Sequence, residues 1–131
     1  RLAASPGTKA WGLLSVLLQE RAIVSVERIV PAGAFHPPPR VEGAVVRIAF
    51  GPARAGAPDP ARFRRLVKAG FGQRRKTLAN ALAAARVAPP AALAGALAQL
   101  GIDGKRRGET LTVDEWAALA QALAAAEGAA L

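Results

Sequence analysis

AIVSVERIV (residues 22–30) passes through a proline-rich break, PAGAFHPPPR (31–40), into GAVVRIAF (43–50), and the class of the fold turns on this stretch. The first run is dense in β-branched residues, which suit a pleated, half-buried surface. In the second, Ala44, Val46, Ile48 and Phe50 alternate along one face. Two strands alone are marginal in water, so the pair is expected to be the closing edge of a larger sheet. Upstream, the turn signal Ser5-Pro6-Gly7 precedes Leu13, Leu14, Val16, Leu17 and Leu18, which read as a short helix. The chain starts at Arg1 and contains no methionine, so it is expected to be part of a longer protein.

Downstream the pattern changes. GPARAGAPDP (51–60) has the composition of a linker, and helix signals recur from there to the end. Asp59-Pro60 supplies an N-cap and a first-turn proline, followed by Phe63, Leu66, Val67 and Phe71 at helical spacing, with Gly72 as the stop. A second helix is expected to bury Leu78, Ala81, Leu82 and Ala85, and a third Leu93, Ala96, Leu97 and Leu100 before Gly101. Thr112 and Glu115 form a capping box for a fourth, with Leu111 able to staple onto Trp116. Its buried stripe is Trp116, Leu119, Ala120 and Leu123. Four short Ala-rich helices make a small helical domain over 53–131, after an α/β portion over 1–52.

Composition removes several chemistries. The 131 residues include no cysteine and one histidine, His36, which excludes disulfides, thiolate nucleophiles and poly-histidine metal sites within this chain. No apolar run is long enough to span a membrane, and no signal peptide is visible, so a cytoplasmic location is expected. The net charge of +9 predicts a polyanionic partner. Most of that excess is local. Residues 54–86 hold nine basic side chains against Asp59 alone, a net +8, which leaves the rest of the chain at +1.

Three segments carry candidate chemistry. In QRRKTLANAL (73–82), Arg74, Arg75 and Lys76 are expected in the first turn of a helix, where the macrodipole disfavours cations by about 0.3–1 kcal/mol each. Free backbone N–H groups at the same place would favour an anion, so the arrangement suits a phosphate backbone better than it suits stability. In AFHPPPRV (34–41), the prolines imply a polyproline II segment that holds Phe35 in a loop, either stacking on a base or packing on the hairpin. His36 has nothing nearby to orient it as a base, and Arg40 either reaches phosphate or caps the sheet edge. In GIDGKRRGETLTVDEW (101–116), Lys105, Arg106 and Arg107 form a second cationic cluster, unless Arg107 pairs with Glu109. No glycine-rich nucleotide loop, carboxylate pair or metal-ligand cluster is present in the sequence.

Four blocks in order, PGTKAWGLLSVLLQ (6–19), VPAGAFHPPPRVEGAVVRI (30–48), FGQRRKTLANAL (71–82) and GIDGKRRGETLTVDEW (101–116), resemble the bacterial small-subunit ribosomal RNA adenine dimethyltransferases. Trp11 stands where that family usually has tyrosine, and Gly43 where serine is common. The resemblance implies an α/β plus α fold: the closing strands of a Rossmann-like class I methyltransferase sheet, then an all-α RNA-binding domain. It implies an S-adenosylmethionine-dependent enzyme that dimethylates two adjacent adenosines near the 3′ end of small-subunit ribosomal RNA during ribosome assembly. The implied partners are that RNA and the pre-30S particle, with the protein a monomer. Phe35 matches the aromatic that stacks on the flipped adenine; Arg74, Arg75, Lys76 and Arg107 match RNA-binding positions. The resemblance places the cofactor loop and the N-L-P-Y-type segment upstream of this chain, which alone is then expected to be inactive, with no catalytic, cofactor-binding or metal residue of its own. Two other readings stand beside it. One is an RNA-binding module without catalysis; the other is a resistance-type methyltransferase acting on large-subunit RNA, which shares an F-x-P-x-P element but is not expected to carry QRRKTLANAL.

Overall fold

The computed structural model describes residues 1–52 and 59–129. Its elements run α1 (Leu13–Gln19), β1 (Ala22–Val30), β2 (Gly43–Phe50), α2 (Pro60–Phe71), α3 (Leu78–Ala84), α4 (Pro90–Leu100) and α5 (Val113–Ala129). Single 3-10 turns lie at Ala32–Ala34 and Gly108–Thr110. Most of the linker expected over 51–60 falls at 53–58, outside the described residues, and Arg54 of the basic patch falls there too.

The two strands pair antiparallel from Ala22 opposite Phe50 to Val30 opposite Gly43, with a bulge between Val26 and Arg28. The alternating face expected in β2 is not buried. Phe50 is 73% exposed, and Ile23 on β1 75%. No second layer lies against these side chains among the described residues, so alternation that suits a covered sheet meets solvent here.

The helices begin and end as local chemistry requires. Asp59 Oδ1 accepts from Ala61 N (2.9 Å) and Arg62 N (3.5 Å) at the start of α2, with Pro60 next. At α5, Glu115 N donates to Thr112 Oγ1 (3.1 Å) while Thr112 N donates to Glu115 Oε1 (3.0 Å), which is the expected capping box. Helix α4 closes on Gly101 in the left-handed region (φ 67°), with Ile102 N donating back to Leu97 O at 3.0 Å. Helix α3 closes the same way, but its left-handed residue is Arg86 (φ 54°), and Val87 N reaches Leu82 O at 3.5 Å. The expected stripe of α3 is therefore shortened. Leu78, Ala81 and Leu82 are buried, but Ala85 is exposed in that closing turn.

One apolar core collects Phe63, Leu66 and Val67 of α2, Leu78 and Leu82 of α3, Leu93 and Leu97 of α4, and Trp116 and Leu119 of α5. Leu111, from the proposed staple, is fully buried in it beside Trp116. Trp11 and Val16 from the α1 region belong to the same core, and Trp11 Nε1 donates to Leu111 O at 3.1 Å. The α1 segment is thus packed on the helical bundle, with the hairpin extending from it. Among the described residues no helix is long and apolar enough to cross a membrane.

Candidate functional site

The segment Gln73–Lys76 forms a tight turn between α2 and α3, closed by Lys76 N donating to Gln73 O at 3.0 Å. Here the structure corrects the sequence reading. Arg74, Arg75 and Lys76 precede the helix; Thr77 is its N-cap, and its Oγ1 accepts from Asn80 N at 3.3 Å. The first amides of α3 are also taken. Leu78 N donates to Arg106 O (2.6 Å), Ala79 N to Gly104 O (3.1 Å), and Ala81 N to Thr77 O (2.9 Å). No free donors remain there for an anion. The loop that spends them is the second cationic segment, so the hydrogen bonds that remove the expected anion site tie two cationic segments together.

That loop is held from its other side by Arg106. Its Nη1 donates to Glu115 Oε2 (2.6 Å), its Nη2 to Glu115 Oε1 (3.1 Å) and Thr110 O (2.7 Å), and its Nε to Thr110 Oγ1 (3.2 Å). Bidentate pairing of this kind fixes geometry as well as adding energy. The hydrogen bond from Arg106, then that from the Thr112 backbone, and the nearby guanidinium charge hold the Glu115 carboxyl below the usual carboxylate range against its partial desolvation. Arg106 is raised, chiefly by the same bond. The ion pair considered for Arg107 and Glu109 is absent among the described residues; Arg106 and Glu115 pair instead.

Backbone packing brings the segments closer still. A Cβ on Gly108 would lie 2.8 Å from Gly70 O, and one on Gly70 would lie 2.3 Å from Trp116 Cη2. Gly108 thus lets the 3-10 turn at Gly108–Thr110 seat on the end of α2, and Gly70 makes room for the Trp116 ring. The result is a small cleft lined by Phe71, Gln73, Arg74, Lys76, Arg107 and Glu109. Three of the four expected RNA-binding residues, Arg74, Lys76 and Arg107, therefore meet across a gap of some thirty positions in sequence. Arg75 is exposed beside the cleft and does not line it. None of these four side chains has a hydrogen bond or ion pair among the described residues.

Phe35 stands elsewhere, on the connection between β1 and β2. The chain bends through residues 35–37, so the proline segment is not the straight rod expected of it. The ring is 44% exposed and rests its edge over Gly43, where an added Cβ would lie 3.2 Å from Cζ. Packing on the hairpin and an open ring face coexist. His36 and Arg40 are exposed, and neither has a partner among the described residues.

Sequence reasoning counted Arg64 and Lys68 in the basic patch without giving them a site, and it passed over one backbone contact. Arg64 and Lys68 of α2 line a second, more open groove together with Leu14 and Leu17 of α1, and Arg74 lines this groove as well as the cleft. Their spacing of four in a helix was the available signal. The seating of Gly108 on Gly70 had none, because it is a contact between segments far apart in sequence.

The family described as "Ribosomal RNA adenine dimethylase" matches residues 1–125. A "Ribosomal RNA small subunit methyltransferase A" from Anaeromyxobacter dehalogenans (strain 2CP-C) is 65% identical over 123 residues, which are 94% of this chain and 43% of that protein. The protein of the same description from Geobacter metallireducens is 48% identical over 130 residues, 98% of this chain and 47% of its own length. The chain thus spans less than half the length of these curated relatives. Among solved structures, a dimethyladenosine transferase from Plasmodium falciparum superposes with a TM-score of 0.72 at 16% identity, covering 91% of this chain and 50% of that one. The 23S rRNA methyltransferase ErmE gives 0.61 at 20% identity, over 87% of this chain and 46% of its own. Both likenesses establish the architecture: a small sheet flanked by helices, followed by an all-α bundle. With the family match running nearly end to end, the chain belongs to the ribosomal RNA adenine dimethylase family.

Proposed function

We propose that this chain is the RNA-gripping portion of an adenine N6,N6-dimethyltransferase that uses S-adenosylmethionine and acts on two adjacent adenosines of small-subunit ribosomal RNA in the pre-30S particle. Residues 53–131 then form the RNA-binding domain. Residues 1–52 supply the end of the methyltransferase domain, with β1 and β2 pairing to further strands. Arg74, Arg75, Lys76 and Arg107 hold phosphates, and Phe35 stacks on an adenine taken out of its helix, since N6 is out of reach within the stack.

The observation that supports this reading is the cleft in which Arg74, Lys76 and Arg107 meet with Glu109 as the carboxylate lining it, none of the three cations being ion-paired among the described residues. Three cations against one carboxylate leave a net positive cleft, and an anion from outside the chain is its physical complement. The small-subunit description of the relatives supports the substrate class. The residues of this chain do not fit the cofactor. Among the described residues its two antiparallel strands carry no glycine-rich turn into a helix, and the described clefts lie among the helices. No step of methyl transfer is assigned to them.

The test is affinity for an RNA hairpin against salt concentration. Replacing Arg74, Arg75 and Lys76 together with Gln should shrink the slope by about 0.7–0.9 per lost phosphate contact, about 2 in all. The melting temperature should stay within a degree or two, because all three side chains are exposed and unpartnered. The loss should be similar for matched and scrambled stems, since phosphate contacts position without reading sequence. An unchanged slope with a large fall in melting temperature would overturn the reading.

A further inference from the structure

Arg64 and Lys68 sit one turn apart on the exposed side of α2, and both line the open groove between α1 and α2. Arg74 lines that groove and also the cleft that holds Lys76 and Arg107, so the two depressions join at its side chain. Cations four apart on a helix repel each other, and neither Arg64 nor Lys68 has an acidic partner among the described residues. Arg62, on the same helix, differs: its Nη2 pairs with Glu127 Oε2 of α5. Arg65 does not line that groove; it lines the depressions on the other side, next to Val87, one of which Lys68 also borders. The helix therefore neutralises one cation internally, keeps Arg65 off the groove, and places Arg64 and Lys68 on the groove that continues the cleft, with Lys68 at its border with the neighbouring depression.

We propose that Arg64 and Lys68 extend the phosphate site into a track, so that one RNA strand runs from Arg107 past Arg74 and along α2. This deepens the function proposed above and rests on it: the ligand is a phosphodiester backbone, held over several consecutive phosphates instead of at one point. Leu14, 52% exposed, and Leu17 floor the groove. They offer the ribose and base edges an apolar surface without sequence readout. Because Arg74 belongs to both depressions, it is the junction of the track.

The experiment compares three variants of the protein on a fluorescently labelled RNA hairpin with a fully paired stem, across a salt series. Arg64→Gln with Lys68→Gln should shrink the slope of log affinity against log salt by about 1.5, two contacts at about 0.7–0.9 each. Lys68→Gln alone should give about half of that, which guards against a folding defect in the double variant. Arg65→Gln, on the far side, should leave the slope unchanged. An equal loss from Arg65→Gln would mean a diffuse field and would overturn the track. A slope unmoved by the Arg64/Lys68 pair but reduced by the Arg74/Arg75/Lys76 triple would overturn the track and leave the cleft standing. If the triple also left it unmoved, the RNA-binding reading itself would fall. Relief of like-charge repulsion should leave the melting temperature of the Arg64/Lys68 variant equal to or above that of the parent.

Discussion

Phe35 poses the question of single residues most sharply, because one ring has two surfaces. Its edge rests over Gly43, which tolerates the contact by lacking a Cβ. The residue as a whole remains 44% exposed. A half-exposed aromatic adds little to stability, so Phe35→Ala should move the melting temperature only slightly. Base–aromatic stacking is worth about 1–3 kcal/mol, and in the proposed enzyme it is realised once the adenine has left its helix. In the intact protein, Phe35→Ala should therefore slow methyl transfer by about tenfold or more while RNA affinity changes far less. Turnover and affinity measured on the same preparation separate the two effects. An unaltered turnover would mean that the ring serves only the hairpin.

At the scale of elements, the loop from Gly101 to Thr112 does the organising. Its carbonyls at Gly104 and Arg106 satisfy the opening amides of α3, while the Arg106 side chain ties it to Glu115 in the first turn of α5. Glu115 thus serves its own capping box and the ion pair at once. Because its carboxyl is held below the ordinary range in the folded state, Glu115 contributes stability that is fully present above its unfolded value of about 4.3. That contribution is lost as pH falls through the folded value. Comparing thermal melts of the parent and Glu115→Gln should show a constant difference between pH 6 and 8 that narrows once pH falls below the unfolded value and on through the lower folded one. For a partly exposed pair, the gap at neutral pH should reflect about 0.2–1 kcal/mol. A gap that persisted into acid would mean that shape, not charge, sets it. Sequence legibility divides along the same line. Caps, prolines and apolar stripes lie within a few residues of one another, so Asp59, Gly101 and the Thr112–Glu115 box sit where the sequence places them, whereas α3 starts later than its sequence suggests and its cap is Thr77. The loop's bond to α3 joins residues 25 or more apart, and with it went the free amides that the sequence reading had offered to phosphate. Arg86 in a left-handed turn could not be read either, since glycine is the usual mark of that conformation.

The whole molecule has a well-covered end and a bare one. Around Trp11 and Trp116 the helices close a shared core, but the hairpin exposes Ile23, Val26, Ile29, Val45 and Phe50. A two-stranded sheet with so much apolar surface in water is weakly self-sufficient. Binding sites for nucleotide-like cofactors in α/β folds lie at the carboxyl ends of parallel strands, where strand order reverses. That geometry needs at least two parallel neighbours with helices on either face. Here the strands are antiparallel and joined by the loop that bears Phe35. Residues 1–131 by themselves should therefore give no heat on titration with S-adenosylmethionine in calorimetry, even at cofactor concentrations of hundreds of micromolar. The same material should still bind an RNA hairpin with a steep salt dependence, because Arg74, Lys76 and Arg107 are assembled by the helices without help from the sheet. The paired result is informative because the two ligands probe opposite ends of the molecule. Micromolar cofactor binding would show that the hairpin and α1 hold a site this geometry does not contain. Failure to bind RNA alongside a normal helical circular dichroism spectrum would show that the cationic cleft needs the rest of the enzyme to grip.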